Sequence, residues 1–205
     1  MDQPGSPLRL GAVVLAGGTA ARMDGVDKAS VELAGVTLLE RALAATMTAI
    51  EVVVVGHQVP TSRPVTWTLE DPAGGGPAAG LLAGLGRFLV APDLVAVLAV
   101  DMPGVTAGTV ARLAWVVEGD DGVDGARLVD EDGRAQPLAA VYRREALAAA
   151  APADVEQHHG LPVRRLLAQL RLVDVPAVGD EARDVDTWEA LRELRELREA
   201  REQGR

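Results

Sequence analysis

The segment from Leu15 to Lys28 has residue types that hold phosphate groups, with the sequence LAGGTAARMDGVDK at the end of an apolar run. Glycines such as Gly17 and Gly18 let backbone amides come close to an anion, because they carry no side chain. Arg22 and Lys28 supply cations, and amides and fixed cations can converge on one anion where a strand opens into a loop. The segment predicts a nucleotide-handling protein. A glycine-rich turn with two solvated cations is the alternative.

A second candidate, Asp101, follows an apolar run at residues 94–100 that predicts a central strand buried on both faces. Open α/β sheets bind their ligands outside the carboxyl ends of the strands. A carboxylate at that place is a hard-oxygen ligand for Mg²⁺, which takes one or two protein carboxylates beside phosphate and water. Asp101 is therefore a candidate metal ligand. Capping of a helix that begins near Val105 is the alternative.

Two more carboxylates, Asp184 and Asp186, precede the last predicted helix. Residues two apart in an extended segment point the same way, so both carboxylates could face one cation. The alternative is that Asp186 and Thr187 form the cap of that helix and its neighbour.

A glycine run before a proline marks a further loop, GGGP at residues 74–77, shortly after Glu70 and Asp71. Proline just inside a helix start, preceded by glycines, predicts a helix whose N-terminus faces the site. A plain loop with a helix cap is the alternative.

Apolar β-type runs alternate with alanine- and leucine-rich segments of helical periodicity. The predicted strands lie at residues 10–15, 51–55, 65–69, 94–100, 126–129, 137–142 and 172–175. The predicted helices lie at residues 38–48, 78–89, 106–117, 144–150, 163–170 and 188–203. This alternation predicts an α/β fold, a three-layer α/β/α sandwich around a mostly parallel sheet.

Length and composition fit one domain of ordinary size, since the chain has 205 residues of which 48% are hydrophobic. Aromatic residues make up only 2%, so the core must consist of Val, Leu and Ala. We expect a flexible N-terminus at residues 1–8 and a single domain over residues 9–205 that ends in a charged helix.

Several function classes are excluded or disfavoured by composition. The absence of cysteine excludes disulfides, thiolate metal sites and a cysteine nucleophile. The net charge of −10 argues against a broad nucleic-acid or anionic-membrane surface. No apolar run approaches the roughly 20 residues of a membrane span, and no signal-peptide pattern is present. We expect a cytoplasmic protein whose polyanionic substrate needs local cations and a divalent metal.

The opening segment fits neither G-x-x-x-x-G-K-[ST] nor G-x-G-x-x-G, which disfavours P-loop and common dinucleotide folds. It resembles the L-A-G-G-x-x-x-R-M-G-x-D-K signature of the MobA-like nucleotidyltransferases, among them the molybdenum cofactor guanylyltransferases. One departure is Asp24-Gly25, where family members often have Gly first. Four motifs follow the family's order, at residues 15–28, 71–80, 101–103 and 184–187. The resemblance implies a glycosyltransferase-A-like fold of the nucleotide-diphospho-sugar transferase type.

The same resemblance implies roles for the matching residues. The implied catalytic residues are Arg22, Lys28 and Asp101, with Arg22 and Lys28 neutralising the departing phosphates. The implied nucleotide-binding residues are Leu15, Ala16, Gly17, Gly18, Lys28, Asp71 and Asp101. The implied ligands of Mg²⁺, or alternatively Mn²⁺, are Asp101, Asp184 and Asp186. Acceptor-binding residues are implied at Gln136, Pro137, Arg164 and Arg165, although solvated surface arginines are the alternative for the last two.

The function implied is Mg-dependent transfer of GMP from GTP to molybdenum-loaded molybdopterin with release of pyrophosphate. The Gly17-Gly18 pair points to guanine, because cytidylyl-transferring relatives tend to have Ala-Gly there. A cytidylyl- or sugar-1-phosphate nucleotidyltransferase is one alternative, and a nucleotide-sensing or cofactor-carrier module is the other. We expect no nucleic-acid or membrane partner. We do expect transient contact with cofactor-biosynthesis or acceptor proteins.

Overall fold

A computed structural model describes residues 8–17 and 27–203 of the chain, with side chains described up to residue 197. Its strands are β1 (Leu10–Leu15), β2 (Glu32–Leu33), β3 (Val36–Thr37), β4 (Val52–Val55), β5 (Thr66–Thr68), β6 (Leu94–Ala99), β7 (Gly125–Val129), β8 (Ala135–Arg143) and β9 (Leu172–Pro176). Its α-helices are α1 (Leu38–Ala45), α2 (Pro77–Leu85), α3 (Ala107–Glu118), α4 (Arg144–Ala150), α5 (Val163–Leu166) and α6 (Trp188–Gln203). Short 3₁₀ helices lie at Lys28–Ser30 and Val155–His158.

Seven strands form one sheet in the order β5-β4-β1-β6-β8-β7-β9. The pairs among β5, β4, β1 and β6 are parallel, and β7 is parallel to β9. Only β8 runs antiparallel to its neighbours, β6 and β7. The predicted mostly parallel sheet is therefore confirmed.

Helices cover both faces of this sheet because the central strands are apolar on both sides. Successive residues of β1 alternate between the two cores, with Val14 packed beneath α1, α3 and α6 and Val13 beneath α2, α4 and α5. Both valines are fully buried, and burying such a side chain contributes about 1.5–3 kcal/mol. The structure thus has the three predicted layers.

Helix α2 lies unusually close to the sheet. A Cβ added to Gly84 would stand 2.6 Å from a γ-carbon of Val13, and one added to Gly80 would be 3.4 Å from Leu15. A larger residue at position 84 would therefore push the helix off β1. This contact fixes α2 against the strand that leads into the opening segment.

Several helix ends differ from prediction. Helix α2 ends at Leu85 rather than residue 89, with Gly86 as its C-cap, and Leu89 is 85% exposed. Helices α1 and α5 also end early, at Ala45 and Leu166, whereas α6 has its predicted bounds. The small hairpin of β2 and β3 was not predicted; Ala34 and Gly35 make its turn with positive φ angles of 53° and 74°.

No helix in the described part of the chain is both long and apolar enough to cross a lipid bilayer. The flexible N-terminus was predicted at residues 1–8. Residues 1–7 lie outside the described residues.

Candidate active site

Three parallel strands end side by side at one edge of the sheet. Leu15, the last residue of β1, lies opposite Val55 of β4 and Ala99 of β6. The chain leaves β1 through Ala16 and Gly17, whose backbone amides both donate to the Val55 carbonyl at 2.8 and 2.9 Å. The predicted nucleotide-binding residues therefore begin at the carboxyl edge, as strand order requires.

The backbone at Gly56, just after β4, packs closely against the backbone of Ala16 and Gly17. A Cβ at Gly56 would lie 3.1 Å from the carbonyl carbon of Ala16 and 3.1 Å from the amide nitrogen of Gly17. Gly56 also has a φ of 157°, a backbone conformation that residues with a side chain rarely adopt, so the backbone and the tight contact both favour glycine. Gly56 thus supports the turn at Ala16–Gly17.

The predicted residues Gly18 and Arg22 lie outside the described residues, as do Met23, Asp24 and Gly25. Their assignment to nucleotide and phosphate stays a prediction. The next described residue is Asp27, whose carboxylate accepts from the amide of Ala29 and so caps the 3₁₀ helix that contains Lys28.

Lys28 joins two of the predicted metal-binding carboxylates. Its Nζ donates to Asp101 Oδ2 at 2.9 Å and to Asp186 Oδ1 at 2.5 Å. Burial opposes the charge on Lys28, but the hydrogen bonds to Asp186 and Asp101 outweigh it and raise the pKa of the amine. The ammonium is therefore charged at neutral pH. It joins Asp101 and Asp186, which lie 73 and 158 positions further along the chain.

Lys28 is the only lysine among the 20 Lys and Arg residues of the chain. A compact ammonium can be shared between two carboxylates at one point, whereas the planar arginine fork demands a wider arrangement. The residue type thus suits the position between Asp101 and Asp186.

The third predicted carboxylate, Asp184, is exposed and adds negative charge to this cluster. Partial desolvation raises the pKa of Asp184, and repulsion by Asp186 and Asp101 adds to the rise. The like charges indicate a site that favours an added cation.

The donor set suits a hard divalent cation. The carboxylates of Asp101 and Asp186 already face one shared cation, and Mg²⁺ takes one or two protein carboxylates in nucleotide sites. Among residues 8–17 and 27–197 no group of three or more His, Cys, Asp or Glu side chains is arranged to hold a metal. The complete set of Asp101, Asp184 and Asp186 therefore stays a prediction.

Threonine hydroxyls cap the two helices that these aspartates precede. Helix α3 is capped by Thr106, whose hydroxyl accepts from the Thr109 amide. At α6 the hydroxyl of Thr187 accepts from the amide of Ala190 at 3.1 Å. The cap of α3 is therefore not Asp101, and at α6 a cap is made by Thr187, the neighbour of Asp186.

The glycine-rich start of α2 differs from its prediction. The Glu70 carboxylate accepts from the amides of Gly74 and Gly76, both at 3.0 Å, so these donors already have an anionic partner. The preceding strand ends at Thr68. Asp71, the predicted nucleotide contact, is exposed beside this loop, and its role stays a prediction.

The predicted acceptor residues lie in two places. Gln136 and Pro137 are near the start of β8, which runs antiparallel to β6 and so begins beside the edge that bears Asp101. Arg164 and Arg165 lie on α5 and are exposed. The loop before α5 joins the glycine run through the Gly160 amide, which donates to the Gly75 carbonyl at 2.9 Å. Acceptor binding stays a prediction for all four.

Sequence reasoning missed Glu181, a carboxylate that is only 7% exposed. Thr109 Oγ1 and the Arg112 guanidinium on α3 donate to it. Desolvation opposes its charge, but the hydrogen bonds from Arg112, Thr109 and the Val178 amide outweigh it and lower its pKa. Nothing local marks an acid in a polar loop as buried, so no sequence signal could have found it.

Glu181→Gln is expected to lower the unfolding free energy by about 1–3 kcal/mol near pH 7, since charged hydrogen bonds are lost. Because folding lowers the pKa of Glu181, its stabilisation is complete above the ordinary value of 4.5 and is lost as pH falls through the folded value. Thermal melts of both proteins from pH 7 to pH 3 check this. The gap between them should close in acid, and a constant gap would contradict it.

Comparison with known proteins places these observations in a family context. A protein-family model, the MobA-like NTP transferase domain, matches residues 12–175. A molybdenum cofactor guanylyltransferase of Shewanella amazonensis is 32% identical over 118 residues, which cover 55% of this chain and 59% of that protein. The chain thus spans less than two thirds of that curated relative.

Two solved structures have the same fold. Molybdopterin-guanine dinucleotide biosynthesis protein A from Archaeoglobus fulgidus superposes with a TM-score of 0.69 at 22% identity, covering 92% of this chain and 98% of that one. A 2-C-methyl-D-erythritol 4-phosphate cytidylyltransferase from Thermus thermophilus gives 0.64 at 19% identity, covering 93% and 98%. At these identities the likeness establishes the fold.

Proposed function

Because the chain belongs to the MobA-like NTP transferase family, we propose that it transfers GMP from GTP to a molybdopterin-type acceptor that ends in a phosphate. An oxygen of the ionised acceptor phosphate attacks the α-phosphorus and forms a new P–O bond. The bond between the α-phosphorus and the oxygen that bridges it to the β-phosphorus breaks, and pyrophosphate leaves with that electron pair. The guanylyltransferase relative supports this substrate pair.

The observation that carries the proposal is the position of Lys28 between Asp101 and Asp186, at the edge of the sheet where β1 ends before Ala16–Gly17 and β6 ends before Asp101. This chemistry needs positioning and charge neutralisation more than covalent help from the protein. The shared ammonium positions the two carboxylates at the strand edge, and their excess negative charge would attract the divalent cation that neutralises phosphate. A nucleotide-sensing module has no requirement for such a pair.

Each residue then has a specific task. The amides that follow β1, including that of Gly18, approach the nucleotide, and Asp71 contacts its base or ribose. Lys28 and Arg22 neutralise the leaving phosphates. Asp101 and Asp186, with Asp184 nearby, would hold Mg²⁺ or Mn²⁺, which supplies further neutralisation of phosphate charge when bound. The acceptor is bound by four residues, Gln136, Pro137, Arg164 and Arg165.

Pyrophosphate release with GTP, CTP, ATP and UTP, with and without molybdopterin and Mg²⁺, tests the proposal. We expect GTP to be used at least about tenfold more efficiently than CTP, a difference of about 1.4 kcal/mol in transition-state binding. Release should need both acceptor and Mg²⁺. Equal use of CTP and GTP would remove the guanylyl assignment, and a preference for CTP would favour the cytidylyl alternative, to which the Thermus structure is similar in fold. Nucleotide binding without release from any triphosphate would favour the sensing module.

A further inference from the structure

The segment at residues 177–187 carries two of the proposed metal-binding carboxylates but has no helix or strand of its own. It connects β9 to α6, and Asp184 and Asp186 lie near its end. Irregular backbone keeps a fixed shape only where specific contacts hold it. The precision of the site therefore depends on what fixes this segment.

One contact is a close approach of two backbones. A Cβ at Gly104, in the turn after β6, would lie 2.0 Å from the Asp180 carbonyl oxygen. Five residues later the amide of Val185 donates to the Asp101 carbonyl at 2.7 Å. Val185 is fully buried. The segment therefore lies directly on the turn that bears Asp101.

The second contact is made by Glu181, at the middle of the segment. Its Oε1 accepts from Thr109 Oγ1 at 2.6 Å, and its Oε2 accepts from an Arg112 nitrogen at 2.6 Å. Oε2 also accepts from the Val178 amide at 2.7 Å, which closes the segment on itself. Thr109 and Arg112 belong to α3, the helix that follows Asp101 in the chain.

We propose that Glu181 is a positioning residue, which clamps the segment to α3 through Thr109 and Arg112 and so holds Asp186 against Lys28 and Asp101. Glu181 acts through Asp186 and does not touch the reacting groups. Removing the clamp takes away the side-chain contacts of Glu181 with α3 and loosens the segment between Val178 and Val185. Asp186 then leaves Lys28 for part of the time, although Asp101 keeps its place at the end of β6.

This inference rests on the proposed function for its effect on turnover, so its first test is independent of any activity. Lys28 is the only lysine, and its Nζ is held by two carboxylates. An amine-acylating reagent applied to the free protein measures how firmly it is held, with the N-terminal amine as internal reference. We expect Glu181→Gln to raise the relative acylation rate of Lys28 about fivefold or more, because one of its two acceptors becomes mobile.

The second measurement is the kinetics of pyrophosphate release. Glu181→Gln should lower kcat about tenfold and leave KM for GTP within about twofold, since the Glu181 side chain contacts α3 and the Val178 amide rather than the Ala16–Gly17 turn. Arg112→Lys keeps the charge but loses the bidentate contact with the Glu181 carboxylate. It should give a smaller change in the same direction. It also serves if Glu181→Gln fails to fold.

Glu193→Gln is the matched control, because Glu193 pairs with Arg183 of the same segment on the exposed side. It should leave both measurements unchanged. If Glu181→Gln lowers the melting temperature but leaves Lys28 acylation and kcat equal to those of Glu193→Gln, Glu181 is structural only and the inference is wrong. If the wild-type protein releases no pyrophosphate with any triphosphate, the proposed function fails and the acylation rate alone decides this inference.

Discussion

Asp101→Asn is expected to lower the turnover of pyrophosphate release about a thousandfold while the melting temperature changes by only a few degrees. Asparagine keeps the size of the side chain, and its amide oxygen still accepts a hydrogen bond from Lys28. It removes the negative charge that faces the shared cation at the end of β6. Loss of such a metal-binding charge costs about 4 kcal/mol of transition-state stabilisation, which corresponds to that factor.

The matched control is Asp93→Asn, at the opposite end of the same strand. Asp93 accepts from the Arg9 amide at 2.7 Å and is far along the strand from the carboxyl edge. This variant removes the same charge from the residue just before β6 and should keep its turnover. Equal losses in the two variants, or full turnover in Asp101→Asn, would show that Asp101 has no role in the reaction.

Lys28→Met is expected to have opposite effects on two quantities. Turnover should fall about a hundredfold or more, since a cation placed to neutralise leaving phosphates contributes that much. Mn²⁺ should bind more tightly in the absence of nucleotide, by about tenfold, because Asp101 and Asp186 lose the cation they share. Electron paramagnetic resonance of free Mn²⁺ measures the binding, and pyrophosphate release measures the turnover.

Lys28→Arg keeps the charge and controls for it. Its affinity for Mn²⁺ should stay near that of the wild type, while its turnover should still drop, since the guanidinium does not fit one point between two carboxylates. Unchanged Mn²⁺ binding in Lys28→Met would mean that Lys28 and the metal do not compete. The metal would then have to lie elsewhere than between Asp101 and Asp186.

Sequence periodicity predicted the layers of this fold well, because long apolar runs such as that of β6 leave few choices. It failed at ends and in short elements. Helix α2 ends before Gly86 although three apolar residues follow at positions 88–90. The strands of the β2–β3 hairpin are too short to show alternation. The reversed direction of β8 was equally invisible, because a buried strand has the same composition in either direction.

The site divides in a similar way. The position of Asp101 just past a strand end was predictable from the sequence, and β6 does end at Ala99, next to the end of β1 at Leu15. The pairing of Lys28 with Asp101 and Asp186 spans much of the chain, so spacing could not predict it. The same holds for Glu70, whose carboxylate occupies the amides that the glycine pattern assigned to a ligand.

All seven strands of the sheet are complete at Pro176, while Asp184 and Asp186 come only afterwards. During synthesis on the ribosome every strand therefore emerges before the segment that completes the site. A protease cut after residue 176 would leave a chain with its full set of strands and with Lys28 deprived of Asp186. The sheet can therefore be complete before the residues at positions 184 and 186 join the site.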